Sequence, residues 1–182
     1  MNVIITCMSI LKDSIGEVPM KRVYGTYYSP IGLIYIVVDE IGVNRIELFQ
    51  DRWESYINEN RELKKDDKLC EEVVRQLDEY FRGDRRYFTV PLSIEGTEFR
   101  KKVWQEIQKI PYGKVSSYKE IAEKIGNDKA VRAIGQANKA NKIPIIIPCH
   151  RVIGKNGNIV GYAGDKITTQ ELLLNYEKQN KK

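Results

Sequence analysis

Apolar positions alternate with polar ones early in the chain and recur at helical spacing through most of the rest. Residues 23–28, 33–38 and 43–49 are runs rich in β-branched and aromatic residues. The turn Ser29-Pro30-Ile31-Gly32 joins the first two, and Gly42 leads into the third. This pattern predicts a small antiparallel sheet. From residue 67 to 81, Leu69, Val73, Val74, Leu77, Tyr80 and Phe81 share one side of a helix that Gly83 would stop.

Residues 87–94, containing Pro91, read as a boundary. Thr97 is then a candidate N-cap, and Phe99, Val103, Trp104, Ile107 and Ile110 form an apolar stripe ended by Pro111-Tyr112-Gly113. Ser117 with Glu120 makes a capping box for a helix ending at Gly126, and a third helix covers about residues 128–140. Two short helices around a glycine-containing turn fit a helix-turn-helix. The run Ile143-Pro144-Ile145-Ile146-Ile147 is too short for a helix and predicts a buried strand or extended segment that carries residues 148–152 inward. Asn156-Gly157 is a tight-turn signal suited to a wing, and Thr168 with Glu171 is a second capping box, opening a last helix through Glu177. The expectation is an α+β protein of two domains: residues 1–92, a small α/β unit, and residues 93–182, mostly helical.

Charge sharpens this division. Of the net +5, residues 1–92 contribute −3 and residues 93–182 contribute +8, which points the second half toward a polyanion. The three cysteines, Cys7, Cys70 and Cys149, are far apart and the only histidine is His150, so neither a disulfide framework nor a metal site is expected. Residues 3–11 are mostly apolar but lack the flanks of a signal peptide, and no apolar run reaches membrane-spanning length, so a cytoplasmic protein is expected. Cys7 and Cys70 read as small hydrophobes. Cys149 differs in having a histidine beside it, and a nucleophilic thiolate needs a nearby base. The dipeptide alone also suits a buried structural cysteine.

The context is richer than the dipeptide. Ile147-Pro148-Cys149-His150-Arg151-Val152 resembles the active-site signature of the O6-alkylguanine-DNA alkyltransferases. Pro111-Tyr112-Gly113-Lys114-Val115, Ser117-Tyr118, residues 130–135, Asn141, Gly161-Tyr162 and the closing Leu172-Leu173 to Glu177 recur in that family's order. Earlier, Ser29-Pro30-Ile31-Gly32-Leu33 resembles the turn of its N-terminal domain. The resemblance implies an RNase H-like antiparallel sheet followed by a winged helix-turn-helix. It implies that Cys149 accepts the alkyl group, that His150 acts as a water-mediated base oriented by Glu177, that Tyr118 contacts the flipped base, and that Asn141 braces the turn. It places Arg132, as an intercalating finger, with Ala133, Gly135, Tyr118 and Arg151 at the DNA, and Val152, Tyr162 and Ala163 at the base pocket. An alkyl group on O6 is inaccessible inside stacked DNA, so the base must be extruded. The implied partner is double-stranded DNA carrying O6-alkylguanine, with O4-alkylthymine a further substrate. The protein would act as a monomer, once per molecule, without cofactor or metal.

The sequence departs from the family at Lys142, where proline is common, at Ala140 and Asp165 in place of glycines, and at Ala163 where some members carry serine. The competing readings are a lesion-binding module without transfer, a winged-helix regulator with an inert cysteine, and a Cys-His hydrolase. The first replaces the acceptor cysteine, the second predicts sequence-specific binding, and the third predicts turnover and an oxyanion hole.

Overall fold

The computed structural model describes residues 21–154 and 167–180. Three antiparallel strands, β1 (Val23–Ser29), β2 (Gly32–Val38) and β3 (Val43–Glu47), form the predicted sheet. A short β4 (Lys64–Lys65) adds parallel to β1, so the sheet is mixed, in the order β3-β2-β1-β4. The β1–β2 turn closes where Ser29 pairs with Gly32, whose φ of 116° suits glycine, and Ser29 Oγ donates to the Gly32 carbonyl at 2.7 Å.

Period-two alternation on β2 feeds two cores. Ile34, Ile36 and Val38 face the main core, which holds α2 (Glu71–Arg82), and Tyr35 and Val37 face a smaller cluster. That cluster is covered by α1 (Gln50–Glu59), a helix the sequence reading left out. Its signal was present: Phe49, Trp53, Tyr56 and Ile57 have helical spacing. Trp53 stacks on Tyr35 with ring centres 4.5 Å apart, and Tyr24 tilts against it at 4.9 Å. Gly83, at φ 79°, ends α2 in the left-handed conformation expected of it.

The second half opens with α3 (Glu98–Gln108), capped by the Thr97 side chain, which accepts from Arg100 N. Val103, Trp104, Ile107 and Ile110 are buried as the stripe predicts, and Trp104 Nε1 donates to the Ala137 carbonyl at 2.8 Å. The capping box of Ser117 and Glu120 is formed at the start of α4 (Tyr118–Lys124). A single 3-10 turn, Asp128–Ala130, leads into α5 (Val131–Lys139). Residues 143–147 are buried, but as turns and not as a strand. Ile147 N donates back to the Ile143 carbonyl at 2.9 Å, and Ile145 takes φ 73°. A 3-10 turn, Cys149–Arg151, then enters β6 (Val152–Ile153), which pairs in parallel with β5 (Ser116–Ser117). The last helix, α6, spans Ile167–Gln179, so Thr168 falls inside its first turn and not ahead of it. The wing expected at Asn156-Gly157, and Tyr162 and Ala163, lie outside the described residues.

The two halves meet across several ties. Residues 91–93 run beside β3, where Val43 N donates to Pro91 O and Ser93 N to Val43 O, both at 2.9 Å. A Cβ on Gly42 would lie 2.1 Å from Pro91 O, so only glycine fits there. Ile46 N donates to the Lys142 carbonyl at 2.8 Å. Glu95 accepts from Asn44 Nδ2 at 3.1 Å, from Lys142 Nζ at 3.0 Å and from Arg22. Among the described residues, no helix is long and apolar enough to cross a membrane.

Candidate active site

Cys149 is presented by a compressed backbone. Pro148 sits at φ −79°, ψ 61°, and Cys149 N donates to the Ile147 carbonyl at 2.7 Å, an inverse γ-turn. Arg151 N then bonds Pro148 O at 2.9 Å and starts the 3-10 turn. Upstream, a β-branched residue at positive φ is strained, by roughly 1–3 kcal/mol. Ile145 holds that conformation while buried, with Ile143, Ile146 and Ile147 also buried beside it.

Asn141 locks this turn. Its Oδ1 accepts from Ile143 N at 2.9 Å, and its Nδ2 donates to the Ile147 carbonyl and to Cys149 Sγ, each at 2.9 Å. A donor on sulfur favours the thiolate over the thiol. Asn138, on α5, donates to the Cys149 carbonyl at 3.3 Å and hydrogen-bonds the Tyr118 hydroxyl. Burial pushes Tyr118 above its usual range, against the Asn138 bond and together with the nearby Cys149, so its hydroxyl stays protonated. Cys149, Asn141, Asn138 and Tyr118 therefore form one group. Asn138 was missed as a site residue, since nothing in its spacing separated it from a helix-face polar residue.

Behind the thiol lies a buried ionic hub. His150 and Glu177 are completely buried, with Nε2 and Oε1 2.7 Å apart. Burial pushes His150 below its usual value, against the pull of Glu177, so the ring is neutral at neutral pH. A carboxylate can only accept, so Nε2 carries the ring hydrogen and Nδ1 the lone pair. Glu177 also accepts Gly113 N on Oε2 at 2.8 Å and the Tyr80 hydroxyl on Oε1 at 2.8 Å. Arg151 adds Nη2 at 2.8 Å and Nε at 3.0 and 3.1 Å, while its Nη1 donates to the Ile110 carbonyl at 2.7 Å. Burial alone would raise the Glu177 pKa, but the hydrogen bonds from His150 and Arg151 and the Arg151 charge bring it down to about 2.

Arg151, expected at the DNA surface, is thus 5% exposed and committed to Glu177. A guanidinium this far from water needs a buried carboxylate, and Glu177 is that partner. Val152 is completely buried in β6, and its carbonyl accepts from Gln170 Nε2 at 3.0 Å. Arg132 and Ala133 lie on the exposed side of α5, with Gly135 half-buried. Cys70 is buried, and burial with Asp67 and Asp66 pushes its thiol up to about 12, as befits an inert core residue. Cys7 lies outside the described residues.

The thiol borders a cleft of about 520 Å³ between the two halves. Asn138, Asn141 and Pro144 line it on the side of Cys149, and Arg45, Phe49 and Tyr56 line it from the first half. Arg45 lies over the Tyr56 ring, 4.2 Å from its centre. This wall was not foreseen: Arg45 lies on the predicted β3, but Phe49 and Tyr56 frame the helix that periodicity could have shown, and only the tertiary fold brings all three to Cys149.

Two family models match. The ribonuclease-like domain of 6-O-methylguanine DNA methyltransferase matches residues 22–94, and the DNA binding domain of the same family matches residues 98–179. The constitutive methylated-DNA–protein-cysteine methyltransferase of Bacillus subtilis is 46% identical over 157 residues, covering 85% of this chain and 94% of that protein. The crystal structure of the Mycobacterium tuberculosis O6-methylguanine methyltransferase superposes with a TM-score of 0.80 at 37% identity, covering 88% of this chain and 95% of that one. The M. tuberculosis protein in complex with DNA gives 0.77 at 36% identity, covering 87% and 94%.

Proposed function

The chain belongs to the O6-methylguanine DNA methyltransferase family, and we propose how its own residues perform that chemistry. Its activity is that of a methylated-DNA–protein-cysteine methyltransferase, which repairs O6-methylguanine and binds DNA. Cys149 is the acceptor. The observation that carries this assignment is the pairing of two features on adjacent residues: an amide donor 2.9 Å from Cys149 Sγ, and a buried His150 held by Glu177 at 2.7 Å.

The thiol proton passes to His150 Nδ1 through a water. The sulfur then attacks the alkyl carbon in line with the leaving oxygen. The S–C bond forms as the C–O6 bond breaks, and the electron pair moves into the guanine ring, which takes up a proton in place of the alkyl group. The protonated hydroxyl of Tyr118 stabilises the charge developing at O6. Arg151 neutralises Glu177 in the ground state, which leaves His150 neutral and able to accept the proton. A thioether has no facile route back to a thiol, so each molecule acts once.

The target base reaches Cys149 by extrusion from the duplex, at a cost of a few kcal/mol. The exposed side of α5 lies against the DNA, with Arg132 filling the vacated stack and Ala133 and Gly135 allowing close backbone approach. Phosphate contacts and shape dominate such binding, so little sequence preference follows. The protein acts as a monomer on double-stranded DNA carrying O6-alkylguanine, and O4-alkylthymine is a further substrate. The resemblance assigns Tyr162 and Ala163, which lie outside the described residues, to the base pocket with the backbone near Val152.

The test is intact mass after incubation with an oligonucleotide containing O6-methylguanine, with Cys149→Ala alongside. Transfer adds about 14 Da, one methyl for one hydrogen, on the peptide containing Cys149 and nothing on the variant. A folded, DNA-binding protein that gains no mass would leave a lesion-binding module.

A further inference from the structure

Tyr80 belongs to α2 of the first half, yet its hydroxyl ends on the carboxylate that orients His150. The side chain is completely buried. Its ring is clamped from both halves: Phe81 and Tyr112 meet it edge-on at 5.1 and 5.7 Å, and Phe88 and Tyr176 tilt against it at 5.6 and 6.5 Å. A phenylalanine would fill the same space, so packing alone does not require the oxygen.

The hydroxyl lands on Oε1, the same oxygen that receives His150 Nε2 at 2.7 Å and Arg151 Nη2 at 2.8 Å. Oε2 is served by Gly113 N at 2.8 Å and Arg151 Nε at 3.0 Å. Donors that share one acceptor oxygen divide its charge, and in a dry site that division is felt strongly. The other titratable or charged groups around this hub are Tyr112 from the turn after α3, Tyr176 from α6, Arg86 beyond α2, and Cys149 and Arg151 from the active-site segment.

We propose that Tyr80 is a positioning residue for alkyl transfer: its hydroxyl shares Glu177 Oε1 with His150, limits the pull of the carboxylate on the ring, and makes the reactivity of Cys149 depend on the docked first domain. This rests on the reading of Cys149, His150 and Glu177 given above. Without the Tyr80 bond, Oε1 attracts a protonated imidazole more strongly. His150 then holds its proton to higher pH, and only the neutral ring accepts the proton from sulfur.

The experiment measures the single-turnover rate of methyl transfer, at saturating O6-methylguanine DNA, from pH 5 to pH 9, for the full-length wild type, Tyr80→Phe and Phe81→Leu. Tyr80→Phe shifts the acid limb of the profile up by about one pH unit, so the rate is about tenfold lower on that limb and returns toward wild type at alkaline pH. Its dissociation constant for DNA stays unchanged. Phe81→Leu loosens the same aromatic cluster without touching the carboxylate, so it lowers the melting temperature and leaves the limb in place. An acid limb in Tyr80→Phe that coincides with wild type, or one that moves equally in both variants, overturns the proposal. Failure of the underlying reading looks different: wild type itself then gains no methyl group on Cys149.

Discussion

Arg151 shows how one side chain can be decided by its surroundings. Its position beside His150 suits a surface contact, but its guanidinium spans Glu177 and the Ile110 carbonyl inside the protein. Removing one partner of a buried ion pair leaves the other uncompensated, at a cost of about 3–5 kcal/mol. Arg151→Met is expected to lose stability on that scale in chemical denaturation while its affinity for undamaged duplex, measured by fluorescence anisotropy, remains that of wild type. A folded Arg151→Met with much weaker DNA binding would return this residue to the DNA surface. Cys149, His150, Asn141 and Glu177 were legible in the sequence because each lies in a motif whose order and spacing the resemblance covers. Tyr80 and Asn138 were not. Tyr80 counted as one more apolar position of an amphipathic helix, and only the fold reveals what its oxygen meets.

Among the elements, α5 is the most informative. Ile134, Ala137 and Asn138 face inward, while Arg132, Ala133, Gln136 and Lys139 remain exposed. Gly135 lies between these faces in ordinary helical conformation, and a Cβ there would come no closer than 4.0 Å to Tyr118. The interior therefore does not demand glycine, whereas a close DNA backbone would. Glycine in a helix costs about 1 kcal/mol relative to alanine. Gly135→Ala should thus raise the melting temperature and weaken DNA binding together. A stabilised variant with undiminished affinity would mean that this part of α5 stays clear of DNA. The capping residues Thr97 and Ser117 were readable because a cap is a local interaction between a side chain and the next turn. The 143–147 segment was not. Its apolar run suits a strand, and its turn depends on Asn141 bonds and on Ile145 at positive φ.

For the whole molecule, the buried hub ties stability to pH. The folded protein keeps His150 neutral through burial, so the unfolded chain binds a proton there first as pH falls below the ordinary value of 6.5. Glu177 drops from 4.5 to about 2 on folding, because His150 and Arg151 outweigh its burial. A depressed carboxylate contributes stability that is complete above its unfolded value and is lost as pH falls from about 4.5 toward 2. That contribution is about 3 kcal/mol. Urea denaturation at pH 7, 5 and 3 should show wild type losing stability progressively, and faster than the double variant Glu177→Gln/Arg151→Met below pH 5. Parallel losses in the two proteins would show that the hub does not govern acid sensitivity. The hub also spans the molecule, joining α2 through Tyr80, the turn after α3 through Gly113, the active-site turn through His150 and Arg151, and α6 through Glu177 itself.

Taken alone, the amino-acid order determined the three antiparallel strands, most helices and the caps at Thr97 and Ser117, because periodicity and capping act over a few residues. Through motif order it also pointed to Cys149 and His150, the acceptor and base proposed above. Tertiary structure alone decided which buried charges neutralise one another, since residues 113, 150, 151 and 177 meet only when distant segments of the second half fold together, and Tyr80 joins them from the first half. It likewise decided that Arg151 turns inward and that Arg45, Phe49 and Tyr56 wall the cleft beside Cys149. The physical reason is range. Backbone preferences are set by near neighbours, whereas the partner of a buried charge is set by which distant segments exclude water together.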